Sequence, residues 1–208
     1  MIFSLAACIS VEHKTPEHEV PVDIVDKTER PEKPDYIDAA KKPEIPSFIM
    51  GKGAVNPEKL ALFLLQNNPG VNNNYANALA RYYVEEAALE GVNYDIAFVQ
   101  MCIETGYLRY GGDVKPEQYN FAGLGAVGGG EPGLSFPDPR TGVRAQIQHL
   151  KAYGSEEPLN GELVNPRFRY VRRGAAPTYE GLAGTWAADK QYAVKITSVL
   201  QRLYDFAF

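Results

Sequence analysis

One carboxylate stands where an apolar helix is expected to meet a glycine-containing loop. Residues 94–99 are apolar enough all round to predict a buried helix, and Glu104 follows at its end, just before Gly106. A carboxyl group with apolar surroundings behind it and an open loop in front has a raised pKa, which suits a general acid near neutral pH. The alternative is a solvated or capping Glu, the commoner role at a helix end.

Start and stop signals place this helix among several others. The predicted helix boundaries lie at Asn56, Asn73, Gly91, Asn93, Asp138 and about Asp189. Each start carries a capping residue, a proline in the first turn or the beginning of an apolar stripe, and Gly91 suits a C-terminal cap. These elements predict a mainly α (α+β) domain.

The stretch from 106 to 137 is rich in glycine and aromatic residues and has no apolar periodicity. A loop of this length inside a compact domain is commonly functional. We expect a small lobe, with a short hairpin around residues 123–134, that faces Glu104 across a cleft. Its aromatic side chains could line that cleft or fill the core.

Composition argues against several functional classes. The 208 residues are 45% hydrophobic, enough for one globular domain and an appendage. A net charge of −5 without dense Lys and Arg runs makes nucleic acid an unexpected partner. Two cysteines and three scattered histidines predict neither a disulfide framework nor a metal site, and no cofactor is expected. The run 123–130 lacks the Gly-Lys-Ser/Thr ending of a phosphate-binding loop.

The N-terminal 47 residues differ in composition from the rest. Residues 1–10 contain Leu5-Ala6-Ala7-Cys8, which resembles the lipobox of bacterial lipoproteins and implies lipidation of Cys8. The basic first region and longer apolar region of a signal peptide are missing, so the true start could lie upstream of Met1, and a short apolar N-terminus without function is the alternative. Residues 11–47, rich in Pro, Glu, Lys and Val, predict a flexible tether to a domain over 48–208.

Four sequence blocks resemble, in the same order, the signature blocks of bacterial glucosaminidases of glycoside hydrolase family 73, which are peptidoglycan hydrolases. The blocks are Gln100–Tyr107, Asn120–Leu124, Phe136–Asp138 and Thr185–Ala193, within a match over about residues 56–208. The resemblance implies a lysozyme-like helical domain with a small glycine-rich β-lobe. It also implies that Glu104 is the general acid.

Further site residues are implied by the same resemblance. A second carboxylate is expected in the glycine-rich lobe, where Glu131 is preferred over Asp138 because Asp138 is suited to cap the following helix. Tyr192 is expected to line the cleft, although it also lies on the apolar stripe of the last helix. The expected substrate-binding residues are Tyr107, Tyr110, Asn120 and Phe121.

The expected reaction is hydrolysis of the β-1,4 bond between N-acetylglucosamine and N-acetylmuramic acid in the glycan strands of peptidoglycan. Glu104 would protonate the leaving oxygen, and either water activated by Glu131 or the substrate's N-acetyl oxygen, steadied by Tyr192, would attack carbon one. A lytic transglycosylase and a non-catalytic glycan-binding module are the alternatives on the same fold. The expected location is the bacterial cell envelope, in the periplasm or at the outer membrane, with membrane contact only through a lipid at Cys8.

Overall fold

Five α-helices build the domain in the computed structural model, which describes residues 42–126, 128–130 and 132–208. They are α1 (Pro57–Asn67), α2 (Asn73–Glu90), α3 (Tyr94–Glu104), α4 (Pro139–Gly154) and α5 (Tyr192–Ala207). Short 3-10 turns occur at Pro116–Gln118, Phe168–Tyr170 and Tyr179–Leu182. The predicted mainly α class is therefore confirmed. None of the helices in this part of the chain combines the length and apolar character needed to cross a membrane.

The helix boundaries follow from local capping. The side-chain oxygens of Asn56, Asn93 and Asp138 accept hydrogen bonds from backbone amides in the first turns of α1, α3 and α4. Gly91 ends α2 with a φ of 71°, a left-handed conformation that glycine adopts without steric cost. These four predicted boundaries are confirmed.

Helix α5 starts later than predicted. Its first residue is Tyr192 and not a residue near Asp189. The Asp189 side chain accepts a hydrogen bond from the Gln191 amide at 2.8 Å, and its carbonyl accepts one from the Tyr192 amide at 3.1 Å. Asp189 thus closes a turn ahead of the helix, which is why the apolar stripe and the helix do not begin together.

Helix α3 lies at the centre of the core. Every residue from Tyr94 to Cys102 is buried, and α2, α4 and α5 all contact this helix. The prediction of a buried helix is confirmed. Because full burial of each large apolar side chain contributes about 1.5–3 kcal/mol, the core fixes α3 firmly, and Glu104 emerges at its end as the last helical residue.

The segment between α3 and α4 forms a lobe that is held together by side chains. Its described residues contain no β-strand, so the predicted hairpin is wrong. Among the described residues, two backbone hydrogen bonds join residues 118–124 to residues 134–136: the Leu134 amide donates to the Leu124 carbonyl and the Phe136 amide to the Gln118 carbonyl, both at 2.8 Å. The side-chain amide nitrogen of Asn120 donates to the Leu124 carbonyl at 2.9 Å and to the Leu134 carbonyl at 3.0 Å. Its side-chain oxygen accepts from the Leu124 backbone amide. Isolated bridges at Phe48–Thr178, Met50–Val92 and Ala183–Ala187 lie outside this lobe.

Candidate active site

The Glu104 carboxyl group lies between α5 and the glycine-rich lobe. Its Oε1 atom accepts a hydrogen bond of 2.5 Å from the hydroxyl of Tyr192, the first residue of α5. Its Oε2 atom faces the lobe at Gly123, where an added Cβ would lie 3.9 Å away. The two oxygens therefore have different surroundings, one tied to the helical core and the other directed to the lobe.

The surroundings of Glu104 raise its pKa. The side chain is accessible to solvent from the cleft, yet protein packed around the rest of the carboxyl group removes enough water to disfavour its charged form. This desolvation is the largest influence on the Glu104 pKa. The Tyr192 hydroxyl, the Trp186 side chain and the Lys195 ammonium lower the pKa by smaller amounts, so the net shift is upward.

A chain of buried hydrogen bonds supports this carboxyl group from behind. Tyr83 Oη donates to Gln146 Oε1 at 2.5 Å, Gln146 Nε2 to Gln100 Oε1 at 2.8 Å, Gln100 Nε2 to Tyr192 Oη at 3.1 Å, and Tyr192 Oη to Glu104 Oε1. Tyr83, Gln146 and Gln100 are 0% exposed, and Tyr192 is 4% exposed. The chain joins α2, α4, α3 and α5, so all four helices position the carboxyl group.

The donor direction of this chain is fixed by Ala97. Its backbone carbonyl, which can only accept, receives a hydrogen bond of 3.0 Å from Gln146 Nε2. The Gln146 amide group must therefore direct its nitrogen to Ala97 and to Gln100, and Gln100 must in turn direct its nitrogen to Tyr192. The Tyr192 hydroxyl proton is then left for Glu104.

Three adjoining hollows form a cleft along the Glu104 side of the domain. The first, here called the acid hollow, measures about 170 Å³ and contains Glu104, Tyr110 and Asp113. The second, the tyrosine hollow, measures about 560 Å³ and is lined by Tyr75, Tyr110 and Tyr119. Tyr110 lines both hollows. The tyrosine hollow, the largest of the three, therefore adjoins the acid hollow but does not contain Glu104.

The third hollow lies on the other side of the acid hollow. This tryptophan hollow measures about 240 Å³ and is lined by Trp186, Tyr153, His149, Arg167, Thr185 and residues 122–126. It shares Gly123 and Ala126 with the acid hollow, so the turn at 123–126 separates the two. The Trp186 ring packs edge-on against His149, with ring centroids 5.0 Å apart.

A strained turn after α3 directs the two predicted tyrosines to opposite sides. Gly106, Tyr107 and Leu108 have φ values of 58°, 58° and 61°, a left-handed turn that is costly for residues with a side chain. The turn places Tyr110 in the acid hollow. It directs the Tyr107 ring to Phe63, and Arg202 donates a hydrogen bond to the Tyr107 hydroxyl at 3.1 Å. Tyr107 therefore lies on the α1–α5 side and lines none of the three hollows.

Two other predicted substrate-binding residues serve the fold. Phe121 is 1% exposed and packs against Tyr83 in the core, so its ring cannot lie on a substrate and that prediction is wrong. Asn120 borders the acid hollow, but it is 1% exposed and both N–H groups of its side-chain amide donate within the lobe. Its side chain has no donor left for a ligand, which corrects the predicted binding role as well.

The predicted second carboxylates have separate outcomes. Asp138 accepts hydrogen bonds from the Thr141 amide and hydroxyl at 2.9 and 2.7 Å, which lower the pKa of Asp138 and cap α4. It lines none of the three hollows, so its helix-capping alternative is confirmed. Glu131 and Cys8 lie outside the described residues.

The structure brings in residues that were not predicted from sequence. Asp113 is a carboxylate of the lobe, and it lines the same hollow as Glu104. Gln146 lies between apolar positions on the buried face of α4, and an amide at such a position was a signal for an internal hydrogen-bond chain. Trp186 lay within the last signature block and was not assigned a role. No three His, Cys, Asp or Glu side chains come together as metal ligands in the part of the chain that the structure describes.

Comparisons with known proteins agree with this arrangement. Residues 80–205 match the glucosaminidase family, described as mannosyl-glycoprotein endo-beta-N-acetylglucosaminidase. An uncharacterized protein of Borreliella burgdorferi is 43% identical over 159 residues, which cover 76% of this chain and 78% of that protein. No solved structure matches the chain. The family match spans α3, the lobe, α4 and most of α5, and with them Glu104 and Tyr192. The chain therefore belongs to the glucosaminidase family.

Proposed function

We propose that this protein hydrolyses the β-1,4 bond between N-acetylglucosamine and N-acetylmuramic acid in peptidoglycan, with Glu104 as the general acid. Membership of the glucosaminidase family supports glycan hydrolysis in general. The observation that carries the assignment of Glu104 is its raised pKa in a cleft, together with a hydrogen bond from Tyr192 that positions its Oε1 atom. A protonated carboxyl group that faces a cleft is the state that glycosidic bond cleavage requires.

The proton to be transferred is carried by Oε2 in this proposal. Oε1 accepts from Tyr192, so it serves as the carbonyl-like oxygen of the protonated Glu104. Transfer of the Oε2 proton to the glycosidic oxygen breaks the bond from that oxygen to carbon one, and positive charge develops on the sugar. The Glu104 carboxylate that remains keeps the Tyr192 hydrogen bond, which becomes stronger when the acceptor is charged. Tyr192 thus acts through Glu104, as a positioning residue.

The second group has two candidates that the structure favours to different degrees. Asp113 lies in the acid hollow with Glu104, and a carboxylate there could activate the attacking water. The substrate's own N-acetyl oxygen is the alternative attacking group. Tyr192 is 4% exposed and its hydroxyl bonds to Glu104, so its direct contact with such an intermediate is not supported. Glu131 stays a sequence prediction.

Digestion of purified peptidoglycan by the wild-type protein and by Glu104→Gln tests the proposal. The expected products are new chain ends with reducing N-acetylglucosamine, identified by mass spectrometry. Glu104→Gln should reduce the rate by about 10²–10⁴-fold. Glu58→Gln, an equivalent change on the exposed surface of α1, is the matched control and should leave the rate unchanged. Anhydro ends would instead indicate a lytic transglycosylase, and absence of cleavage by wild type would indicate a binding module.

The envelope location is a separate proposal. The Leu5-Ala6-Ala7-Cys8 sequence supports lipid attachment at Cys8, with the tether between that anchor and the glycan-binding domain. Metabolic labelling with a fatty-acid analogue should mark the wild-type protein and not a Cys8→Ala variant. Recovery of unlabelled wild-type protein from the membrane-free fraction would contradict the anchor.

A further inference from the structure

Among the described residues that line the tryptophan hollow, Arg167 alone carries a formal charge. No Asp or Glu lines the hollow in the part of the chain that the structure describes. Within that part, the ion pairs engage other cations, and Arg167 has no carboxylate partner. Burial and the nearby Arg167 guanidinium lower the pKa of His149 to about 4, so the His149 ring is neutral near pH 7.

Arg167 is held at this place by buried neighbours. Its backbone amide donates to Asn165 Oδ1 at 2.9 Å, and the Asn165 Nδ2 atom lies 2.9 Å from Nδ1 of His149. The backbone amide of Asn165 in turn donates to Oε1 of the buried Gln148 side chain of α4 at 3.1 Å. The Arg167 guanidinium packs over the Tyr170 ring with a centroid distance of 5.2 Å. The Arg167 side chain therefore extends from a turn whose backbone is fixed by hydrogen bonds to buried residues.

The cleft consequently has opposite charges in adjoining hollows. Glu104 and Asp113 lie in the acid hollow, and Arg167 lies in the tryptophan hollow beyond the turn at 123–126. A ligand that spans this turn meets the Asp113 carboxylate and the protonated Glu104 on one side and the Arg167 guanidinium on the other. Such a field orients a ligand whose own charge is negative at one end.

We propose that the tryptophan hollow binds the carboxylate-bearing sugar of the substrate, with Arg167 as the residue that binds the carboxylate. This inference rests on the proposed hydrolysis of peptidoglycan. Of the two sugars in that glycan, only N-acetylmuramic acid carries a carboxyl group, either as its free lactyl group or through the acidic residues of an attached peptide. A guanidinium matches a carboxylate with two parallel hydrogen bonds, and the mostly polar lining of the hollow suits the hydroxyl and amide groups of a sugar.

The glycan then has one defined orientation in the cleft. The sugar on the Trp186 side of Glu104 is the muramic acid, and the N-acetylglucosamine whose bond is cut lies on the Asp113 side, in the acid hollow. For cleavage that leaves reducing N-acetylglucosamine, the tryptophan hollow is then the leaving-group side. The substrate's charge, in addition to the shape of its sugars, selects the bond to be cut.

The test compares Arg167→Gln with Arg169→Gln on three ligands. Arg169 lies on the same turn and packs on the same Tyr170 ring at 4.9 Å, but it does not line the hollow, which makes it the matched control. The ligands are peptidoglycan fragments with their peptides, the same glycan after removal of the peptides, and a chitin oligosaccharide that has no carboxyl group. Binding is measured by calorimetry with Glu104→Gln as the background, so the result does not require turnover.

The Arg167→Gln change should weaken binding of the carboxylate-bearing ligands by about tenfold, the lower end for a hydrogen bond to a charged group. Binding of the chitin oligosaccharide should stay unchanged, and Arg169→Gln should have no effect on any ligand. Loss confined to the peptide-free glycan identifies the lactyl carboxylate as the partner, and loss confined to the intact fragments identifies the peptide.

Two results would overturn the inference. Equal weakening for the chitin oligosaccharide would show that Arg167 supports the fold of the cleft, and unchanged binding of both acidic ligands would show that it does not contact the carboxylate. If wild type binds the acidic glycan through Arg167 but cleaves no glycan, the proposed hydrolysis fails while the binding inference stands. If wild type cleaves peptidoglycan and Arg167→Gln binds it normally, only the binding inference fails.

Discussion

The Gln146 Nε2 atom lies 3.0 Å from the carbonyl oxygen of Ala97, and this contact determines which atom of Tyr192 meets Glu104. Since the carbonyl can only accept, the two glutamines have one allowed orientation, and the Tyr192 hydroxyl becomes a donor to Glu104. A donor at Oε1 stabilises the charged carboxylate and leaves Oε2 to carry the proton. These hydrogen bonds lie in the rigid core, so the folded protein keeps this arrangement.

Removal of the Tyr192 hydroxyl should shift the pH dependence of activity upward. The Tyr192 hydrogen bond lowers the pKa of Glu104 against the stronger effect of desolvation, so Tyr192→Phe raises that pKa further. A general acid works while protonated, so activity is lost as pH rises through its pKa, and this loss should occur at higher pH in the variant. At lower pH, kcat should fall by about tenfold, because the carboxylate left after proton transfer loses a donor.

Tyr204→Phe is the matched control for that measurement. Tyr204 is also a buried tyrosine of α5, and its hydroxyl donates to a carboxylate, Asp95, at 2.8 Å. Its replacement should reduce stability without moving the pH at which kcat declines. An unchanged or downward shift in Tyr192→Phe would contradict the described direction of the chain.

Gln146→Met should alter the same pH dependence from a distance. Without Gln146 the Gln100 amide loses the partner that fixes its orientation, so it can present its oxygen to the Tyr192 hydroxyl. The Glu104 pKa then rises as in Tyr192→Phe. Gln148→Met is the control, since Gln148 is a buried glutamine two residues along α4 that bonds residues 162–165 and not this chain. Equal pH profiles for the two variants would refute the role of Gln146.

Asp113→Asn tests the second carboxylate. If Asp113 activates water, kcat should fall by about 10²-fold or more, and proton NMR of the first product should show inversion at carbon one. Glu58→Gln, which changes an exposed carboxylate of α1 outside the three hollows, should retain activity and serves as the control. Retention of configuration, with near-normal kcat in Asp113→Asn, would favour attack by the N-acetyl oxygen.

Gly142→Ala should displace the lobe from α4. A Cβ at Gly142 would lie 1.9 Å from the Tyr119 carbonyl oxygen and 3.3 Å from the Phe121 ring, so the backbone of the lobe must move. The expected cost is about 1–3 kcal/mol in the free energy of unfolding, measured with urea. Gly111→Ala, where the added Cβ meets nothing within 4 Å, should change this free energy little.

Local signals in the sequence were sufficient for most helix boundaries and for the position of Glu104 at the end of a buried helix. Caps at Asn56, Asn93 and Asp138 act within one turn of chain, so their residue types predicted the boundaries correctly. Glu104 followed from the apolar run before it. The start of α5 was placed too early because Asp189 has the residue type of a cap but closes a separate turn.

Other features depend on contacts between distant parts of the chain. The sequence did not indicate whether backbone or side-chain hydrogen bonds hold the lobe together. In the structure, the Asn120 side-chain amide bonds the two segments that were predicted to pair as a hairpin. Phe121 and Tyr110 have similar rings, and only the left-handed turn and the packing of Tyr83 decide which is buried. The pairing of Gln100 with Gln146 spans 46 positions, beyond the reach of any periodicity.

The chain has a single tryptophan, and the structure places it in the wall of a hollow beside the Glu104 carboxyl group. Indole emission from the native protein therefore comes from the cleft alone, without a background from other parts of the fold. A sugar that enters the hollow would displace water from the Trp186 ring and change the colour and intensity of that emission. The proposed binding of a glycan in this hollow can therefore be followed in real time through Trp186, without a label.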